Sequence, residues 1–112
     1  MKKLIKNIEH SKVLLLAEEV EYQKGQIVSK TLAQNERHSL TLFAFEKGEE
    51  ISSHESEGDA LVYALDGVGV VTLDGNENLL RTGEAIVMPA HSTHAVYAKE
   101  RFKILLIVSF PE

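Results

Sequence analysis

The sequence has no cysteine and no tryptophan, only two prolines among 112 residues, and 6% aromatic residues. Without cysteine there is no disulfide, no thiolate metal site and no Cys nucleophile. Any metal must sit on histidine or oxygen, and the missing disulfides fit a reducing compartment. Long apolar runs are also lacking. The run at residues 13–17 is too short for a signal-peptide core, and that at 104–108 falls far short of the ~20 residues that span a bilayer. A cytoplasmic protein with no membrane role is expected. Nor is positive charge gathered anywhere: 12 basic against 17 acidic side chains give a net charge of -5, with no patch that could track phosphates, so a nucleic-acid partner is not expected.

What the chain does have is enough apolar content, 44%, for one core of ordinary domain size. Residues 1–22 read as an arm and 23–112 as the body. In the arm, Ser11 ahead of Lys12 and the apolar residues 13–16 suits the cap of a short helical turn, although 13–16 could equally be a strand. From Tyr22 onward the punctuation belongs to β-structure. Residues 26–34 alternate apolar and polar, Asn35-Glu36-Arg37 is a turn, and 38–46 form a second strand. Asp66-Gly67 and Asp74-Gly75 both read as hairpin turns, because Gly supplies positive φ without steric cost. Strands are predicted at 68–73, 78–81, 85–88, 94–99 and 102–109, for eight or nine in all. Evenly spaced short strands with no helical periodicity imply an all-β sandwich or barrel. The last strand is apolar on both faces and needs a second layer, either the other sheet or a second subunit. A homodimer is the expectation.

Residues 48–67 organise the rest: a glycine turn, His54 on a short polar strand, an acidic loop, an apolar strand and Asp66-Gly67. They resemble the first motif of the cupins, G(X)5HXH(X)3E(X)6G, with Gly48, His54, Ser56, Ala60 and Gly67 on its five defined positions. Both glycines and the first histidine are present. Ser56 stands for the second histidine and Ala60 for the glutamate, so two residues that normally hold a metal are absent. The second cupin motif, G(X)5PXG(X)2H(X)3N, falls on residues 83–98, with Gly83, Pro89 and His94 in place, His91 where Gly is usual and Ala98 where Asn is. The resemblance implies a jelly-roll barrel, a double-stranded β-helix, and favours a homodimer. It does not single out an activity, since the fold serves enzymes, sensor domains and storage proteins.

Residues two apart in a strand share a face, so His54 and Ser56 point one way and Glu55 the other. By the motif's geometry Ala60, Val62 and Ala64 continue the inward row, with His94, Val96 and Ala98 facing them. The predicted pocket is thus lined by His54, Ser56, Ala60, Val62, His94 and Val96. Catalytic metal ions usually take three protein ligands, and two histidines fall short. His91 or Asp59, and behind them Glu57 and Glu55, are candidates to complete a site for iron, manganese, nickel or zinc. His91 can help only if the loop at 89–93 turns it inward, and Asp59 only if the chain distorts at Gly58. The alternative reading makes the two histidines plain pocket groups bonded to Ser56, tyrosine or water. The acidic residues around them suit a solvated rim, since a catalytic carboxylate needs burial or a close partner. Gly67-Val68-Gly69 lacks a third glycine and a following helix, and no Gly-X-Ser-X-Gly elbow accompanies the serines beside His54.

Two functions follow. One is a module that binds a small molecule through His54, Ser56 and His94 in a mostly apolar pocket. The alternative is a metal-dependent dioxygenase, isomerase or decarboxylase-like enzyme, in which His54 and His94 are completed by a loop ligand and the ion polarises a bound oxygen.

Overall fold

The computed structural model describes residues 3–112, and the first two residues of the expected arm lie outside it. Among the described residues, seven antiparallel strands follow a single 3-10 turn, Leu16–Glu18: β1 (Ile27–Gln34), β2 (His38–Phe45), β3 (Glu50–His54), β4 (Asp59–Leu73), β5 (Asn76–Arg81), β6 (Ala85–Met88) and β7 (His94–Ser109). The two long strands run through both layers of a jelly roll. The first half of β4 and the second half of β7 pair with β6 and β2, and β1 extends this layer beyond β2. Their other halves pair with β5 and β3 to form the second layer. Between the layers lie Phe45, Val62, Val71, Phe102 and Ile104, all essentially fully buried.

Asp66-Gly67 is not a hairpin turn, and residues 100–101 do not separate two strands. β4 continues through the first and β7 through the second, with the register between them shifting at residues 64–66 and again at 67–69. Gly67 has φ +77, and a Cβ there would stand 1.5 Å from the Arg101 carbonyl oxygen. Gly69 lies under the Phe102 ring, where a Cβ would come within 2.3 Å of a ring carbon. The two glycines let β4 bend around β7 in a bulged corner rather than reverse. Asp74-Gly75, by contrast, is the hairpin that the sequence predicted, with both residues at positive φ between β4 and β5.

Ser11 caps nothing. It sits at φ 65, and the 3-10 turn at Leu16–Glu18 has no side-chain cap. The arm instead packs its apolar residues Ile8, Leu16 and Val20 onto Leu32, Leu42 and Leu105 of the outer face of the first layer. Tyr22 anchors it: its hydroxyl donates to Asp66 at 2.5 Å, and the Arg101 and Lys103 cations lie over its ring at 5.1 and 4.8 Å. Lys103 also donates to the Ala17 carbonyl. Part of the second layer required by the two-sided last strand is therefore this chain's own arm. Among the described residues no helix is long and apolar enough to cross a membrane.

Candidate functional site

The antiparallel pairing of β3 with β7 sets His54 directly opposite His94. Both imidazoles reach the same end of the barrel, their ring centroids 4.2 Å apart at 75° and their Nε2 atoms 3.0 Å apart. His94 is 2% exposed, whereas His54 stands at the solvent-facing rim. Below them lies a cavity of about 100 Å³, walled by Phe43, Ile51, Met88, Ile104, Leu106 and Val108. Of the six residues predicted to line a pocket, His54, Ser56, Ala60, His94 and Val96 face this cavity. Val62 does not; it is fully buried deeper in the core. Sequence reasoning missed the apolar wall: Phe43 on β2 and Ile104, Leu106 and Val108 on the second half of β7 lie outside both motifs and meet them only through sheet pairing, while Ile51 and Met88 fall on motif positions with no defined residue. Two roomier hollows, of about 420 Å³ under the arm and 480 Å³ across the outer face at Tyr97, are surface grooves away from the paired imidazoles.

Taken as uncharged rings, the two imidazoles have their protons assigned by their hydrogen bonds. His54 Nδ1 lies 2.9 Å from the Ser52 carbonyl, which can only accept, so that nitrogen carries the proton and His54 Nε2 is an acceptor. His94 Nε2–H then donates to it. His94 Nδ1 is left as a bare acceptor, buried and without a partner. Burial is the main influence that holds the His94 imidazole below the usual histidine range, and repulsion from His54 adds to it. The Ser92 backbone works the other way, though it falls short of hydrogen-bond geometry with Nδ1. Ser56 Oγ accepts from the Gly58 amide at 3.2 Å, which leaves its hydroxyl proton free to donate.

The fit of a metal ion can be judged from these donors. Two ligand bonds of about 2.1 Å at a right angle span about 3.0 Å, so one ion could touch both Nε2 atoms. No third donor joins them: among the described residues no three His, Asp or Glu side chains gather at one point. His91 is exposed on a backbone at φ 67, its amide donating to the Ser56 carbonyl at 2.8 Å. Asp59 is exposed and accepts from the Ala90 amide at 2.8 Å, while Glu55 and Glu57 are exposed. Gly58 does not distort the chain to bring Asp59 inward. A Cβ at Gly58 would lie 2.4 Å from the Ser109 carbonyl oxygen, so the glycine serves close approach of β7. The residues present do not fit a firmly held resident metal ion.

Relatives share this architecture. A conserved protein of unknown function from Streptococcus pyogenes is 44% identical, with a TM-score of 0.96, over 99% of this chain and 97% of that one. A cupin superfamily protein from Desulfitobacterium hafniense is 36% identical, TM-score 0.92, over 96% and 98% of the two chains. A cupin 2 conserved barrel domain protein from Leptotrichia buccalis is 46% identical, TM-score 0.81, over 83% of this chain and 45% of that longer one. No curated protein matches the sequence. The family model described as Cupin domain matches residues 41–108, a span that holds both histidines and the whole cavity wall. With its two-layer jelly roll and a motif histidine from each half of the barrel, the chain belongs to the cupins.

Proposed function

We propose that the chain binds a small neutral molecule in the barrel cavity without a resident metal ion. The observation that carries this reading is a largely apolar cavity whose few polar groups converge at one end, the arrangement typical of ligand sites. Size limits the ligand. A cavity of about 150 Å³ takes benzene, so about 100 Å³ suits a buried portion of roughly four heavy atoms. Chemistry limits it further. Ser56 offers a hydroxyl donor beside the paired imidazoles, which suits a hydroxyl or carbonyl head on a short aliphatic tail. The rim bears exposed Glu55 and Glu57, and a buried His94 resists charge; both disfavour an anion.

The test is titration of a panel of three- to six-carbon alcohols, ketones and diols, followed by calorimetry on wild type and the His54→Ala, His94→Ala double variant. Binding by wild type that weakens at least 100-fold in a folded double variant is expected. A double variant that binds with full affinity sinks the assignment. The metal-dependent enzyme reading has one observation in its favour, the 3.0 Å approach of the Nε2 atoms, and it lacks a third donor. Turnover of any substrate that stops on exhaustive chelation and returns with a divalent ion would restore it.

A further inference from the structure

The hollow under the arm differs from the barrel cavity in both size and charge. It measures about 420 Å³, and its floor is apolar. Ala33 on β1 faces Leu40 on β2 across the ladder, and Leu4 and Ile5 of the arm complete the apolar lining. The arm is tied down along this edge of the sheet. The Lys6 amide donates to the Leu32 carbonyl and the Asn7 side chain to the Thr31 carbonyl, both at 2.7 Å, while His10 Nε2–H donates to the Ile5 carbonyl at 2.6 Å. The polar part of the lining holds Lys3, Lys6, Gln34, Asn35 and His38, with no carboxylate among them. Among the described residues neither Lys3 nor Lys6 makes an ion pair, whereas Arg37 of the adjoining turn is held by Glu112 at 2.6 Å. Asn35 spends its Oδ1 on the Arg37 and His38 amides, and its Nδ2 donates to His38 Nε2 at 3.3 Å. With its acceptor used, what Asn35 has left to offer is an N–H, and an uncharged His38 ring carries its own proton on Nδ1.

Charge and hydrogen-bond direction agree on what fits there. Two ammonium groups without a carboxylate partner form a positive spot on a chain whose net charge is -5, and a lysine ammonium is a compact point charge that only donates. We propose that this hollow is a second binding site, for a small organic carboxylate with an aliphatic body, its carboxylate taken by Lys3 and Lys6 and its body laid on Ala33 and Leu40. A bare inorganic anion would use the lysines and leave the apolar floor wet, so the body is part of the recognition. Scaled from the about 150 Å³ that takes benzene, the hollow holds roughly ten to fifteen heavy atoms. This ligand is opposite in kind to the neutral molecule of the barrel cavity, whose rim bears Glu55 and Glu57. Because the lining comes from the arm on one side and from β1 and β2 on the other, a bound carboxylate also ties the arm to the sheet.

The test titrates three probes into the untagged full chain and follows the amide NMR signals. Octanoate carries charge and body, octanol the body alone, and acetate the charge alone. Octanoate is expected to move the Lys6, Ala33, Gln34 and Asn35 signals, with a dissociation constant roughly tenfold or more below those of octanol and acetate. Exposed ion pairs are individually weak, so the Lys3→Gln, Lys6→Gln double variant is expected to bind octanoate roughly tenfold more weakly. Lys12→Gln, which removes an ammonium already paired with Glu9 at 3.5 Å, is expected to leave the affinity unchanged. The same shifts are expected in the His54→Ala, His94→Ala variant, so failure of the barrel site and failure of this one are read separately. Octanol that binds as tightly as octanoate overturns the proposal, and so does octanoate affinity that survives loss of both lysines. It is equally overturned by octanoate that moves no signal, or only those of Met88 and Val96 in the barrel cavity.

Discussion

Replacing Ala60 by Glu puts a carboxylate where the cupin motif has one, and the structure sets the scale of the effect. Ala60 is 2% exposed and faces the same cavity as His54 and His94. The added atoms fill roughly half of that cavity at ordinary packing density, so overpacking is not the main cost. Desolvating the carboxyl group without a full set of partners is, at about 1–3 kcal/mol without metal. With it in place, three protein donors converge where wild type has two, the number used by catalytic zinc sites. Full structural zinc sites are worth about 10–16 kcal/mol, and even a partial set with a dissociation constant near the micromolar range is expected. Zinc or nickel at 100 times that constant then adds about 2.7 kcal/mol, or roughly 10 °C in melting temperature for a domain of this size. Thermal melts of Ala60→Glu and wild type, each with EDTA and with excess metal, measure it. The variant is expected to melt lower than wild type in EDTA and to gain the shift with metal, while wild type moves by no more than about a fifth as much. A folded Ala60→Glu protein that gains nothing from any divalent ion would refute the placement of Ala60 and the two imidazoles around one point.

Other perturbations test other parts. Gly67→Ala forces a Cβ to 1.5 Å from the Arg101 carbonyl oxygen at φ +77 and is expected to cost about 3 kcal/mol or more in urea unfolding; a loss below about 1 kcal/mol would mean that the corner is loose. Because burial depresses the His94 pKa, the unfolded chain takes up a proton before the folded one does. Stability is then unaffected by this group well above the ordinary value of about 6.5 and falls as pH drops below it, by at most about 1.4 kcal/mol per pH unit for one proton. Unfolding free energies at pH 7.5, 6.0 and 5.0 are expected to fall less steeply in His94→Gln than in wild type, and equal slopes would contradict the burial argument. Val108→Phe, which fills the cavity from β7, is expected to abolish binding of any fragment that wild type takes, with little change in fold by circular dichroism.

Much of this fold is written locally. The limits of β1, β2 and β6 follow from alternation and turn residues, and Asn35 caps its turn as its side chain allows, accepting from the Arg37 and His38 amides. Asp66-Gly67 and Asp74-Gly75 read alike, because a hairpin and a bulged corner both need a residue at positive φ. What separates them is the partner at Arg101 and Phe102, over thirty residues away, which no local pattern contains. The arm was open between turn and strand for the same reason: its conformation follows from packing on Leu32 and Leu42 and from the Tyr22 anchor. In the site, motif spacing alone put His54 and His94 together. Whether a loop residue would complete them was decided by Asp59 accepting from Ala90 and by the His91 amide binding Ser56, contacts of the folded loop that spacing does not encode.

The most direct measurement of the proposed function is a methyl NMR spectrum of the full chain with the fragment panel, recorded in excess EDTA. Fragments with a hydroxyl or carbonyl head and a short aliphatic tail are expected to shift the signals of Met88, Val96, Leu106 and Val108, which line the cavity, and to lose that effect in the His54→Ala, His94→Ala variant. Wall signals that stay still for every fragment in EDTA, and move only once a divalent ion is supplied, would contradict a metal-free binding site and return the histidine pair to metal chemistry.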